Sequence, residues 1–169
     1  MKNKNSDITT DKTSRPYQTK VSFGITSAVI TSLALITGLD TITNPKSGII
    51  GSILVIALAD NLSDSMGIHF YLESEHVSGK EVWLSTLTNY LARLGVSLSF
   101  ILLIAILPIR TAVYCSIVLG FSILAGLSYA IQDRHGKNPL HEALVHMGLA
   151  AIVIAGSHFA GSFLIDKFK

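Results

Sequence analysis

A long apolar run that acquires carboxylates near its middle is the feature that most restricts the fold of this chain. From Gly51 the sequence reads GSILVIALADNLSDSMGIHFYLE, which has the length of a membrane span and places Asp60 and Asp64 one helical turn apart. An ionised side chain near the bilayer centre costs roughly 2.5–3.5 kcal/mol on insertion scales. The two aspartates therefore need a partner, a water-filled path or a bound cation.

The composition places the whole chain in the class of integral membrane proteins. Of its 169 residues 49% are hydrophobic and only 14% are charged, and the mean hydropathy is +0.52. Soluble domains carry about 25% charged residues. The net charge of +2, spread over scattered basic residues, does not indicate a nucleic-acid partner. The sequence has no phosphate-binding glycine loop, no cysteine pair and no nucleophile elbow, so it does not indicate an enzyme.

Five apolar segments predict an all-α polytopic membrane protein. Each segment is long enough to cross about 30 Å of hydrocarbon as a helix. The predicted spans are 21–39, 48–72, 83–107, 111–131 and 140–165. Residues 1–20 are polar and are expected to form a loosely held cytosolic tail before the transmembrane domain of residues 21–169.

The distribution of basic residues predicts the orientation, because positively charged short loops stay in the cytosol. Eight Lys and Arg residues fall on the amino-terminal side of the membrane and four on the other side. We therefore expect a cytoplasmic amino terminus and a location in the cell membrane.

The polar residues of the second span have the chemistry of a cation path. Asp60 and Asp64 lie about 40° apart on a helix that turns 100° per residue. Carboxylate and amide oxygens suit hard cations, whereas imidazole and thioether groups suit softer first-row metals, so a stripe that offers both suits Fe²⁺ or Mn²⁺. The predicted path consists of Asp60, Asn61, Asp64, Met66, His69 and, at the cytosolic mouth, Glu73.

Arg93 in the third span supports a structural alternative. It could neutralise one of the two aspartates, but a single guanidinium cannot balance both. Three alternatives remain: a second cation is present, one aspartate is protonated, or both line water.

The last span offers weaker candidates. Glu142 and His146 are one turn apart and suit a proton relay as well as an interfacial salt bridge or cap. His141 and His146 are five positions apart, which rotates them about 140° from each other and excludes the zinc-protease motif. His158 is expected to be a hydrogen-bonded packing residue.

Taken together, these spans and residues resemble the vacuolar iron transporter family of Fe²⁺/Mn²⁺ carriers. Residues 23–39, FGITSAVITSLALITGL, look like the first helix of that family. Residues 57–71, with Ser65-Met66-Gly67 at their centre, look like its second helix, and residues 138–161 look like its closing helix.

The resemblance carries expectations for particular residues. Met66 matches the methionine of the second helix that faces the ion path, whereas Ser27 and Leu58 stand where the family has an aspartate and a glutamate. Asp60 and Asp64 lie close enough to replace those carboxylates. The resemblance also implies a homodimer with the ion path between subunits related by twofold symmetry. Only residues 73–81 occupy the connection where some members carry a cytosolic metal-binding insert.

The sequence thus predicts a divalent-metal transporter that exports Fe²⁺ or Mn²⁺ from the cytosol, with proton exchange as the expected coupling. The metal is cargo, and no resident cofactor is expected. Two alternatives remain: a membrane scaffold or assembly protein whose intramembrane charges are structural, and a carrier for a small organic cation.

Overall fold

The computed structural model describes residues 6–42, 45–132 and 139–168, and every regular element in these ranges is a helix. The elements are α1 (Ser6–Leu39), α2 (Pro45–Val55), a π-helical turn (Ile56–Asp60), α3 (Asn61–Ser74), α4 (Gly79–Ile106), α5 (Ile109–Gln132) and α6 (Pro139–Phe168). The π-helical turn joins α2 and α3 into one continuous second span. The predicted all-α class is therefore confirmed.

Five of the described helical segments are long and apolar enough to cross a membrane, as the sequence predicted. They are Val21–Leu39, Pro45–Ser74, Gly79–Ile106, Ile109–Ala130 and Ala143–Lys167. In the described residues α1 begins at Ser6, so helical backbone extends into the polar segment that precedes the first span. Once a helix is nucleated, each further residue adds a backbone hydrogen bond, so an apolar span can extend into polar sequence.

The first helix lies at the centre of the bundle and contacts α2, α3, α4, α5 and α6. We name the two ends of the bundle after their connections: the α1–α2 end also holds the α4–α5 connection, and the α3–α4 end is opposite. The α1 face that packs inward carries Val29, Leu33 and Ile36, which are fully buried in one cluster that also contains Phe100 and Ile104 of α4.

The crossing of α1 and α6 depends on two glycines. A Cβ atom on Gly161 would overlap the carbonyl oxygen of Gly38, and a Cβ atom on Gly38 would lie 3.3 Å from the carbonyl oxygen of Ser157. The backbones of the two helices therefore touch near the α1–α2 end. Small residues allow this close approach between membrane helices.

The turn between α3 and α4 is closed by a residue in the left-handed conformation. His76 has φ of 56°, its N–H donates to the Glu73 carbonyl at 3.0 Å, and the Val77 N–H donates to the Leu72 carbonyl at 3.2 Å. These two bonds form a Schellman motif, which satisfies the last carbonyls of α3. The short turn makes α3 and α4 antiparallel neighbours.

Candidate ion-binding site

Arg93 is paired with Asp64, so the structure decides which aspartate the arginine neutralises. The Arg93 Nη1 donates to Asp64 Oδ2 at 2.5 Å, and its Nε donates to the Gly24 carbonyl oxygen at 3.4 Å. Only 1% of the Arg93 side chain is exposed, whereas 40% of the Asp64 side chain is exposed. The pair therefore joins α3 to the buried face of α4 and leaves Asp64 accessible.

Gly24 makes room for this arrangement on α1. A Cβ atom at Gly24 would lie 2.5 Å from Asn89 Nδ2 and 3.1 Å from Arg93 Cγ. The missing side chain thus allows the polar groups of α4 to lie directly against the α1 backbone.

A seam of buried polar side chains, which we call the polar seam, joins α3 to α4 beside this ion pair. The Asn61 Nδ2 donates to Ser97 Oγ at 3.4 Å, and the Ser65 hydroxyl lies 2.7 Å from the Asn61 carbonyl oxygen and 3.1 Å from Asn89 Oδ1. All four side chains are buried. Asn61, predicted as a path residue, therefore faces α4 within this seam.

His69 and Glu73 are the two predicted path residues that the structure brings together. The Thr86 hydroxyl donates its hydrogen to the Val82 carbonyl at 2.9 Å, so it accepts from His69 Nδ1 at 3.2 Å. We therefore assign the hydrogen of the neutral ring to Nδ1. His69 Nε2 lies 3.5 Å from Glu73 Oε1, and this nitrogen can bind a proton or a metal ion.

Asp60 has a different environment from Asp64. It lies at the middle of the second span, 15 positions after Pro45 and 14 before Ser74, and its residue surface is exposed. Among the side chains that the structure describes, none forms a hydrogen bond or ion pair with Asp60. It is also the last residue of the π-helical turn, a distortion that is frequent at functional sites.

Met66 lies apart from both aspartates. It lines an apolar groove of about 530 Å³ between α3 and α4, in which Trp83 and Leu87 are neighbours and neither aspartate forms a wall. The shared site of Met66, Asp60 and Asp64 stays a prediction from the sequence.

The remaining predicted residues lie on other helices. Ser27 is half-buried on α1. His146 Nδ1 lies 2.9 Å from the Ser128 hydroxyl and links α5 to α6. The side chain of Glu142 lies outside the described part of the structure.

The six predicted path residues are distributed over different faces of the second span. Among the described residues, no three His, Cys, Asp or Glu side chains come together in a geometry that could hold a metal. Positions 61, 65 and 69 point from one face of α3 toward α4, whereas Asp60, in the π-helical turn before α3, and Met66 occupy other faces of the same span. Asp60 therefore belongs to no cluster of three such side chains among the described residues.

Comparison with family models, curated proteins and solved structures finds no match to this chain. The similarity to vacuolar iron transporters remains a prediction from the sequence segments quoted above.

Proposed function

We propose that this chain is a membrane transporter that exports a divalent transition metal, Fe²⁺ or Mn²⁺, from the cytosol in exchange for protons. The observation that carries the proposal is Asp60, which is exposed at the middle of the second span and has no hydrogen-bond or ion-pair partner among the described side chains. Arg93 is already engaged by Asp64. Among the described residues, the negative charge of the Asp60 carboxylate is therefore not neutralised by a basic side chain. A bound cation would neutralise it.

A second copy of the chain is the partner that we propose for this face. Ala59, Ser63 and Gly67 are exposed at four-residue spacing beside Asp60, and a Cβ on Gly67 would meet nothing within 4 Å. Such small residues allow close helix packing. A twofold contact here would bring two Asp60 carboxylates together, and their mutual repulsion would favour a cation between them.

His69 and Glu73 would form the cytosolic mouth of the path. An imidazole nitrogen and a carboxylate oxygen are both ligands that Fe²⁺ and Mn²⁺ accept. This assignment follows the proposed orientation, in which the α3–α4 end faces the cytosol of a cell membrane.

Uptake into liposomes tests the proposal. Purified protein is expected to move Fe²⁺ and Mn²⁺ in preference to Zn²⁺ and Ca²⁺ under an imposed pH gradient, and Asp60→Asn is expected to abolish that uptake without loss of membrane insertion. Asp166→Asn, which changes an exposed carboxylate near the end of α6, is the matched control. Full uptake by Asp60→Asn would refute the assignment.

A scaffold role is the second candidate. The Arg93–Asp64 pair and the polar seam would also be expected in a protein whose intramembrane polar groups only hold the helices together. Under that hypothesis no metal is transported, and Asp60→Asn changes assembly instead. Competition by small organic cations in the uptake assay tests the remaining alternative, a carrier for such cations.

A further inference from the structure

The apolar groove between α3 and α4 opens toward the surroundings of the bundle. Trp83 of its α4 wall is 61% exposed, and Leu62 of its α3 wall is exposed as well. A continuous apolar surface of this kind marks a contact with a membrane or with another protein. We therefore expect an apolar partner to cover the groove. Its main apolar walls are Leu62, Met66, Trp83, Leu84, Leu87 and Tyr90.

Contacts behind the α4 wall fix the shape of the groove. The rings of Trp83 and His69 lie 4.5 Å apart, with their planes inclined by 64°. The Thr86 hydroxyl, which also lies in the wall, donates to the Val82 carbonyl and accepts from His69 Nδ1. Its polar group is thus engaged within the protein. The groove is preformed, as most sites for small ligands are.

The groove has the length of a lipid chain in one leaflet. Its α4 wall residues recur every three or four positions and therefore share one face of the helix. From Lys80 to Tyr90 the helix rises about 15 Å, which is half of the hydrocarbon thickness of a bilayer. An acyl chain reaches from the headgroups to the bilayer middle over the same distance.

One end of the groove lies at the level of the lipid headgroups. With 28 residues, α4 is about 42 Å long, so its ends extend beyond the hydrocarbon. Lys80 belongs to the first turn of α4, and Trp83 lies one turn deeper. Tryptophan is enriched at membrane interfaces, and a lysine at this depth keeps its ammonium among the headgroups. The groove thus runs from the headgroup region into the hydrocarbon.

Two side chains of opposite charge flank this end. Glu73 follows Met66 by seven positions, or about two turns, and therefore lies on the same face of α3. Lys80 precedes Leu87 by the same interval on α4. Among the described residues Lys80 forms no hydrogen bond or ion pair, and 59% of the Glu73 side chain is exposed. A ligand with one anionic and one cationic group complements the two.

The charges of the α3–α4 connection select the lipid headgroup. Residues 73–81 contain Glu73, Glu75 and Glu81 but only one lysine, Lys80. These carboxylates repel a headgroup with a net negative charge. An ethanolamine headgroup instead places its phosphate beside Lys80 and its primary ammonium beside a carboxylate. The ammonium donates hydrogen bonds as a lysine does, whereas a choline nitrogen has no hydrogen to donate.

We propose that the α3–α4 groove binds one phospholipid with an ethanolamine headgroup. One acyl chain lies along Trp83 and Leu87, the phosphate binds Lys80, and the ammonium binds Glu73. Binding is noncovalent and requires no metal, so the lipid site goes beyond the proposed function and is independent of it. A second copy of the chain that covered the groove would exclude this lipid, and the fluorescence of Trp83 distinguishes the two occupants.

Trp83 is the only tryptophan in the chain, so its fluorescence reports contact at the groove. Bromine atoms on an acyl chain quench a tryptophan that they touch. The full chain in dodecyl maltoside micelles is titrated with brominated phospholipids that have an ethanolamine, choline or glycerol headgroup. Half-maximal quenching should require about threefold less of the ethanolamine lipid than of the other two, the factor for one exposed charge pair.

Substitutions at the two charges separate their contributions. Lys80→Gln should weaken quenching by all three lipids about threefold, because each of them has a phosphate. Glu73→Gln should remove only the preference for ethanolamine over choline. Lys46→Gln is the matched control, because it removes a lysine at the α1–α2 end that contacts the Ala105 carbonyl. Its quenching curves should match those of the wild type.

Each of three results would overturn the lipid site. The first is equal quenching by the ethanolamine and choline lipids, and the second is unchanged quenching in Lys80→Gln. The third is the absence of quenching by any lipid, which would show that another surface, such as a second copy of the chain, covers Trp83. None of these results depends on metal uptake, so the liposome assay and the quenching assay fail separately.

Discussion

Arg93 of α4 holds Asp64 of α3 in an ion pair of 2.5 Å, with the arginine buried and the aspartate partly exposed. Asp60, one turn earlier in the chain, has no such partner among the described side chains. Two residues of the same type on the same span therefore have separate roles: Asp64 connects helices, and Asp60 presents a carboxylate on the outer face of the chain. This difference predicts different consequences for the same substitution.

The first prediction concerns stability without metal. Asp64→Asn should lower the free energy of unfolding by about 3 kcal/mol, because it leaves the buried Arg93 guanidinium without its counterion. Asp60→Asn should change it much less, since no described partner is lost. Reversible unfolding in detergent with a chelator present measures both variants. Equal losses in the two variants would contradict the separation of roles.

The second prediction concerns stability with metal. A ligand that binds only the folded state stabilises it by about 2.7 kcal/mol at 100 times its dissociation constant. Mn²⁺ should therefore raise the melting temperature of the wild type and of Asp166→Asn, and should not raise that of Asp60→Asn. Thermal unfolding followed across a Mn²⁺ series is the measurement. Undiminished stabilisation of Asp60→Asn by Mn²⁺ would argue against Asp60 as a ligand.

The third prediction concerns the crossing of α1 and α6. Gly161→Ala should destabilise the protein by about 1–3 kcal/mol, because the added methyl group overlaps the Gly38 carbonyl and the helices must separate. Gly156→Ala is the matched control on the same helix, where a Cβ atom would meet nothing within 4 Å. Unfolding measurements should show the loss in Gly161→Ala only. A similar loss in both variants would show that helix flexibility, not the crossing, is responsible.

The fourth prediction concerns the turn after α3. His76→Gly should stabilise the protein by about 1 kcal/mol, because glycine adopts positive φ without the steric cost that a Cβ imposes. His76→Ala should give no such gain, since alanine keeps the Cβ. Unfolding of the two variants at equal pH and lipid composition provides the comparison. A gain from alanine as large as that from glycine would mean that removing the imidazole, not relieving the backbone, is the cause.

Helical periodicity predicts which residues of the second span share a face, but it does not predict which of them contact another helix. A uniform rotation of 100° per residue places Asp60 and Asp64 on one stripe, but it contains no information about which of them meets a residue of α4. The π-helical turn at Ile56–Asp60 and the left-handed turn at His76 leave no clear signal in the residue types. The pairing of His158 with Asp40 joins positions 118 apart in the chain, and only the packing of α6 against α1 brings them together.

The sequence by itself determined the all-α class and the five spans. It also determined that the second span contains two carboxylates that need a counter-charge, water or a bound cation. These follow from local quantities: the length of each apolar run and the cost of a charge in hydrocarbon. Only the tertiary structure decided that Arg93 forms an ion pair with Asp64 and that Asn61 is part of the polar seam. It also decided that His158 lies beside the Asp40 carboxylate. Such contacts depend on helix rotation and on how closely backbones approach at Gly24, Gly38 and Gly161, and both depend on all the packed helices at once.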